Sequence, residues 1–96
     1  MINKNDHRLS DLLQVFVQDR RFKPHLFEKK IEQGWREMMG PWVFRETRAV
    51  RLRGQTLVIE IESAALKQEL HYTRDKICVR VNEMLGEEYV TEVIIK

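Results

Sequence analysis

The chain has 96 residues, 43% of them hydrophobic, and a formal net charge of +2. That length accommodates one domain with one modest core and excludes a multidomain enzyme. The lone Cys78 excludes an internal disulfide, and with only His7, His25 and His71 scattered beside it no zinc constellation is formed, so a reduced, cytoplasmic protein is expected.

The opening residues Met1 to Asp6 are polar and lack the apolar core of a secretion signal. No apolar stretch approaches the roughly 20 residues of a membrane span. Residues 1–7 are expected to be flexible and residues 8–96 to form a single domain. From Arg20 to Arg53 ten basic residues stand against four acidic ones, a local excess of six in a chain whose total is +2. Such asymmetry suits one basic face and a nucleic-acid partner, while an ordinary solvated surface accounts for the same charges.

Leu9, Leu12, Leu13, Phe16 and Val17 fall on one stripe at helical spacing, which predicts a first helix from about Ser10 to Arg20. Lys23 precedes a proline and is pushed out of the helical region, so Phe22-Lys23-Pro24 ends it. Pro24 opens a second helix, because its missing N–H would be unpaired there anyway. Phe27, Ile31, Trp35 and Met38 form the apolar stripe of that helix, and Gly40-Pro41 ends it. Gly34, inside the helix, is expected to admit the close approach of another backbone. Trp35 reads as core. Trp42, just past the helix, is a candidate for a partly exposed contact, although packing on the core is the simpler use.

Val50 and Leu52 alternate with Arg51 and Arg53, and Leu57, Ile59 and Ile61 alternate with Val58, Glu60 and Glu62. A two-residue Gly54-Gln55 turn of type II′ then opposes Arg53 to Thr56, Leu52 to Leu57, Arg51 to Val58 and Val50 to Ile59. A slip of one residue would turn the apolar set to the wrong face. Ser63 is expected to cap a long third helix carrying Leu66, Leu70, Thr73, Ile77, Val81, Met84 and Leu85 at helical spacing, stopped at Gly86. A short last strand, Val90 to Ile95, must pair with the hairpin to bury its apolar residues. The fold class is therefore α+β, in the order α-α-β-β-α-β, with helices on one face of a three-stranded sheet.

Catalytic patterns are missing. The four glycines make neither a P-loop nor a dinucleotide fingerprint, and there is no Gly-x-Ser-x-Gly elbow or His-Glu-x-x-His. Cys78 reads as a structural thiol. No enzyme, metal, cofactor or small-molecule substrate is expected.

The stretch Trp35-Arg36-Glu37-Met38-Met39-Gly40-Pro41-Trp42-Val43 resembles the tryptophan-to-glycine helix end of the DciA-like family. Leu52 through Ser63 is similar to that family's hairpin glycine, alternating strand and closing serine. Ala64 to Leu70 and Val81-Asn82-Glu83-Met84-Leu85-Gly86 are similar to the segments that follow. The resemblance implies a type II KH-like fold, here without a Gly-x-x-Gly loop, so that RNA clamping of the KH kind is not carried over. It also implies a non-enzymatic role in starting DNA replication. The partners it implies are a hexameric ring ATPase, the replicative helicase, and DNA, expected to be single-stranded. Longer members add an extended tail, so the folded domain here is expected to do the binding itself.

For a nucleic-acid surface the candidates are Arg51 and Arg53, which point away from the apolar face of the hairpin, with Arg45 and Arg48 on the segment before them. Lys67 and Arg74 share a face of the predicted third helix, with His71 between them. Arg51 has a rival partner in Glu60, diagonally across the hairpin. Two further readings stay open: a single-stranded nucleic-acid module with no helicase partner, and a protein-binding adaptor whose basic residues only solvate the surface.

Overall fold

The computed structural model describes residues 22–96. The helix expected over Ser10 to Arg20 and the expected flexible N-terminus lie outside the described residues. Helix α1 (Lys23–Met39) carries Pro24 in its first turn and buries Phe27, Ile31 and Trp35; Lys23, expected outside the helix, is its first residue. Its end at Gly40 agrees with expectation, the Gly40 N–H donating to the Arg36 carbonyl at 2.8 Å.

Pro41 does more than stop that helix. It begins a second, short one, α2 (Pro41–Glu46), which buries Val43. A proline suits a first helical turn as well as it ends one, and the sequence pattern does not separate the two uses. The junction of α1, α2 and the sheet is fastened by one hydroxyl. Thr47 Oγ1 accepts from Trp35 Nε1 at 3.0 Å and donates to the Val43 carbonyl at 2.6 Å.

Strands β1 (Thr47–Arg53) and β2 (Thr56–Ile61) form the antiparallel hairpin. All four expected pairs, from Arg53 with Thr56 to Val50 with Ile59, are present. Gly54 has φ +61° while among the described residues no other residue type has a positive φ, as the first position of a type II′ turn requires. The register shifts between Thr47 and Ala49, which makes Arg48 the extra residue of a bulge.

Ser63 Oγ accepts from the Leu66 N–H at 3.2 Å and caps the next helix as expected. The single long helix is corrected to two, α3 (Ala64–Tyr72) and α4 (Arg74–Leu85), broken at Thr73. The Thr73 hydroxyl sits 3.3 Å from the carbonyls of both Glu69 and Leu70, and Arg74 Nε donates to the His71 carbonyl at 3.0 Å. Side chains thus take the carbonyls that an unbroken helix would offer to residues further on. Thr73, placed on the core stripe by spacing, is exposed. The break leaves Leu66 and Leu70 in register with Ile77, Val81 and Leu85, so apolar periodicity alone gives no sign of it.

Helix α4 stops where predicted, the Gly86 N–H reaching the carbonyls of Asn82 and Glu83. Asn82 then organises the return loop: its Nδ2 donates to the Val90 carbonyl at 2.9 Å and its Oδ1 accepts from the Tyr89 and Val90 amides. Strand β3 (Glu92–Ile95) is two residues shorter at its start than the expected Val90–Ile95. It pairs parallel with β2, giving the order β1-β2-β3 in a mixed sheet. The observed succession is α-α-β-β-α-α-β, and the buried residues of strands and helices belong to one core centred on Ile31, Trp35, Leu57, Ile59 and Val81. The close neighbour of Gly34 is the Met84 side chain of α4, and not a backbone as expected; a Cβ at Gly34 would stand 2.5 Å from its sulfur.

Candidate nucleic-acid interface

With one face of the sheet turned to the core, alternation turns Arg51 and Arg53 of β1 to the other. Pairing across the sheet aligns Arg51 with Val58 and Ile94, and Arg53 with Thr56 and Glu92. Both arginines are exposed, and so is Arg45 in the last turn of α2. Arg51 does have the rival partner read from the sequence: its guanidinium lies 3.7 Å from Glu60. Arg48, turned outward by the bulge, is held by Glu62 through two hydrogen bonds, one from Nε and one from Nη2 at 2.9 Å. That two-pronged contact holds the Glu62 carboxyl below the usual carboxylate range and raises the Arg48 guanidinium above its ordinary value. Arg45 and Arg53 make no ion pair among the described residues.

Lys67, on the exposed side of α3, is near enough to Glu62 for its charge to help depress that carboxyl. The fold therefore brings Lys67 to the Arg48 end of the hairpin. Arg74 is not brought there. It lies beyond the Thr73 break, its guanidinium turned back to the His71 carbonyl, so the continuous face expected for Lys67 and Arg74 is interrupted.

Two features escaped sequence reasoning. Tyr72, at the α3–α4 corner, is 78% exposed, the most open of the large apolar side chains among the described residues. Only knowledge of the helix break would have singled it out. The second is the free edge of β1, where Glu28 of α1 accepts a hydrogen bond from the Leu52 N–H at 2.8 Å. No local pattern links residues 24 positions apart. Trp42 is 49% exposed, in keeping with a contact role, and Trp35 at 1% is core. Phe44 is also open to solvent, with the Arg36 guanidinium 5.7 Å from its ring centre.

Cys78 is partly buried, its Sγ 3.1 Å from the Val90 carbonyl. Desolvation, with Asp75 nearby, pushes the thiol above its ordinary pKa, the opposite of what a nucleophile needs. Among the described residues no three His, Cys, Asp or Glu side chains gather to hold a metal ion. No helix among them is long and apolar enough to cross a membrane.

The described residues thus form an α+β domain whose basic hairpin is partly neutralised by Glu60 and Glu62. The family description "Dna[CI] antecedent, DciA" matches residues 8–95, and the chain belongs to the DciA family. Its members are non-catalytic accessory proteins of helicase loading in the initiation of replication, with the replicative helicase as partner. No curated protein matches the chain.

Proposed function

We propose that this chain, as a single domain over residues 8–96 in the cytoplasm, assists loading of the hexameric replicative helicase while itself gripping single-stranded DNA. Its DNA contacts are Arg45, Arg48, Arg51, Arg53, Lys67 and Arg74. The observation that carries the reading is the run of arginines along β1 and the segment before it, whose first and last members, Arg45 and Arg53, have no ion pair among the described residues. Arg45 and Arg53 supply open charge, whereas Arg48 and Arg51 contribute by exchanging a carboxylate for a phosphate. Lys67 extends the surface past Glu62, and Arg74 marks its far side. A type II KH-like arrangement without the Gly-x-x-Gly loop suits the observed order of elements, since two helices now separate β2 from a parallel β3.

The test is fluorescence anisotropy of a labelled single-stranded oligonucleotide at several salt concentrations. Arg45→Glu with Arg53→Glu leaves both ion pairs intact. The double variant is expected to weaken binding to all sequences alike and to flatten the salt slope by about 0.7 for each phosphate no longer held. An unchanged slope and affinity in a folded variant would move the site off this strand. If neither protein binds DNA while both retain the helicase in a pull-down, the adaptor reading takes its place. The pairing of Arg48 and Arg51 with Glu62 and Glu60 is what favours that second reading.

A further inference from the structure

Strand β1 is seven residues long and forms an edge of the sheet. In a two-residue hairpin the closing pair, Arg53 with Thr56, is hydrogen-bonded, and the pairs alternate from there. Leu52 and Val50 therefore direct their amides and carbonyls away from β2, and the Leu52 bond to Glu28 has that direction. The Leu52 N–H is taken. No described group outside the hairpin bonds the Val50 N–H, the Val50 carbonyl or the Leu52 carbonyl. These groups open into a furrow between α1 and β1. A hollow of about 460 Å³ beside Glu28 and Leu52 runs through Glu32, Arg48, Ala49 and Val50 into one of about 410 Å³ beside Phe44.

We infer that the β1 edge receives an extended, acidic segment of a partner protein as a fourth strand. Backbone pairing to Val50 and to the Leu52 carbonyl supplies the attachment, and side-chain charge supplies the choice. The outward residues of an added strand lie beside Arg51 and Arg53, one of them with no ion pair among the described residues, so Asp or Glu belongs there. The inward residues lie in the furrow against Trp35 and Glu32, where apolar residues of modest size fit. A second copy's β1 is the wrong occupant, because it would set arginine against arginine. Glu28 at one end and the bulge at Arg48 at the other limit the pairing to a few bonds, which also protects the edge from indiscriminate strand addition. This inference does not need DNA to bind the same arginines. If DNA does, strand and DNA exclude one another.

The probe is a capped seven-residue peptide, Thr-Glu-Val-Glu-Val-Glu-Thr, with its Lys-for-Glu counterpart as control, added to the ¹⁵N-labelled full chain. The Glu peptide is expected to slow exchange of the Val50 amide at least tenfold at saturation and to give intermolecular backbone contacts to Val50. The Arg51 amide, already paired with β2, should not change. Arg53→Glu should reverse the preference between the two peptides. Binding without Val50 protection, equal protection by both peptides, or no binding at millimolar peptide would each overturn the inference. A labelled oligonucleotide in a parallel titration separates the two readings: Val50 protection stands whether or not the oligonucleotide binds, and displacement by the Glu peptide is expected only if it does.

Discussion

Replacing Thr47 by valine removes one oxygen and leaves the outline of the side chain nearly unaltered. In the folded chain that oxygen has two bonds, from Trp35 Nε1 at 3.0 Å and to the Val43 carbonyl at 2.6 Å. Trp35 is 1% exposed, so its N–H has no ready access to water once the acceptor is gone. Leaving a buried donor unsatisfied costs about 1–3 kcal/mol, and the missing bond to Val43 adds roughly 1 kcal/mol. A loss of about 2–4 kcal/mol is expected, which for a domain of this size lowers Tm by at least ~8 °C. Urea unfolding followed by far-UV circular dichroism is the assay, with the slope m expected to stay constant. Thr47→Ser keeps the oxygen and should cost about 1 kcal/mol or less. A valine variant as stable as the parent, or a serine variant as damaged as the valine one, would refute the role given to the hydroxyl.

Gly54→Val should destabilise the domain by about 1 kcal/mol or more, because φ +61° strains a β-branched residue; an unchanged melting curve would show the turn tolerates it. Cys78 should react slowly with iodoacetamide at pH 8, and its reactivity should rise only at pH values above those of an ordinary thiol, as mass spectrometry of timed samples would reveal. Glu62, whose pKa is lowered by Arg48, stabilises the fold above the ordinary carboxylate range and loses that contribution as pH falls through its depressed value. The stability gap between the parent and Glu62→Gln should therefore close on acidification. A gap that widened towards low pH would reverse the assigned sign.

The hairpin was legible because two constraints met on it: a period-two apolar pattern and a glycine at the one position of its turn that needs positive φ. Together they allow a single register. The helix ends at Gly40 and Gly86 were legible for a similar reason, since the residue that ends each helix is written at the point where it acts. The break at Thr73 was not, because the apolar stripe runs through it in phase and the cause is a set of side-chain bonds to carbonyls. Helix α2 was missed because Pro41 is compatible with both a stop and a start. Of the candidate contacts, Arg51 and Arg53 follow from strand alternation alone. The Arg48–Glu62 contact depends on a bulge, and the Glu28–Leu52 bond on a tertiary meeting of α1 and β1, neither of which leaves a local trace.

The parallel union of β2 with β3 has a consequence for how the chain is made. β1 and β2 are joined by two residues, so they can close as soon as both have left the ribosome. The neighbour on the other side of β2 comes only with residues 92–95, after two helices have been synthesised. Throughout that interval Leu57 and Ile59 sit on a strand with one edge unmet. Closing that distant contact is the slow step that topology imposes. The nascent domain is thus most exposed to unwanted strand pairing just before its last strand emerges.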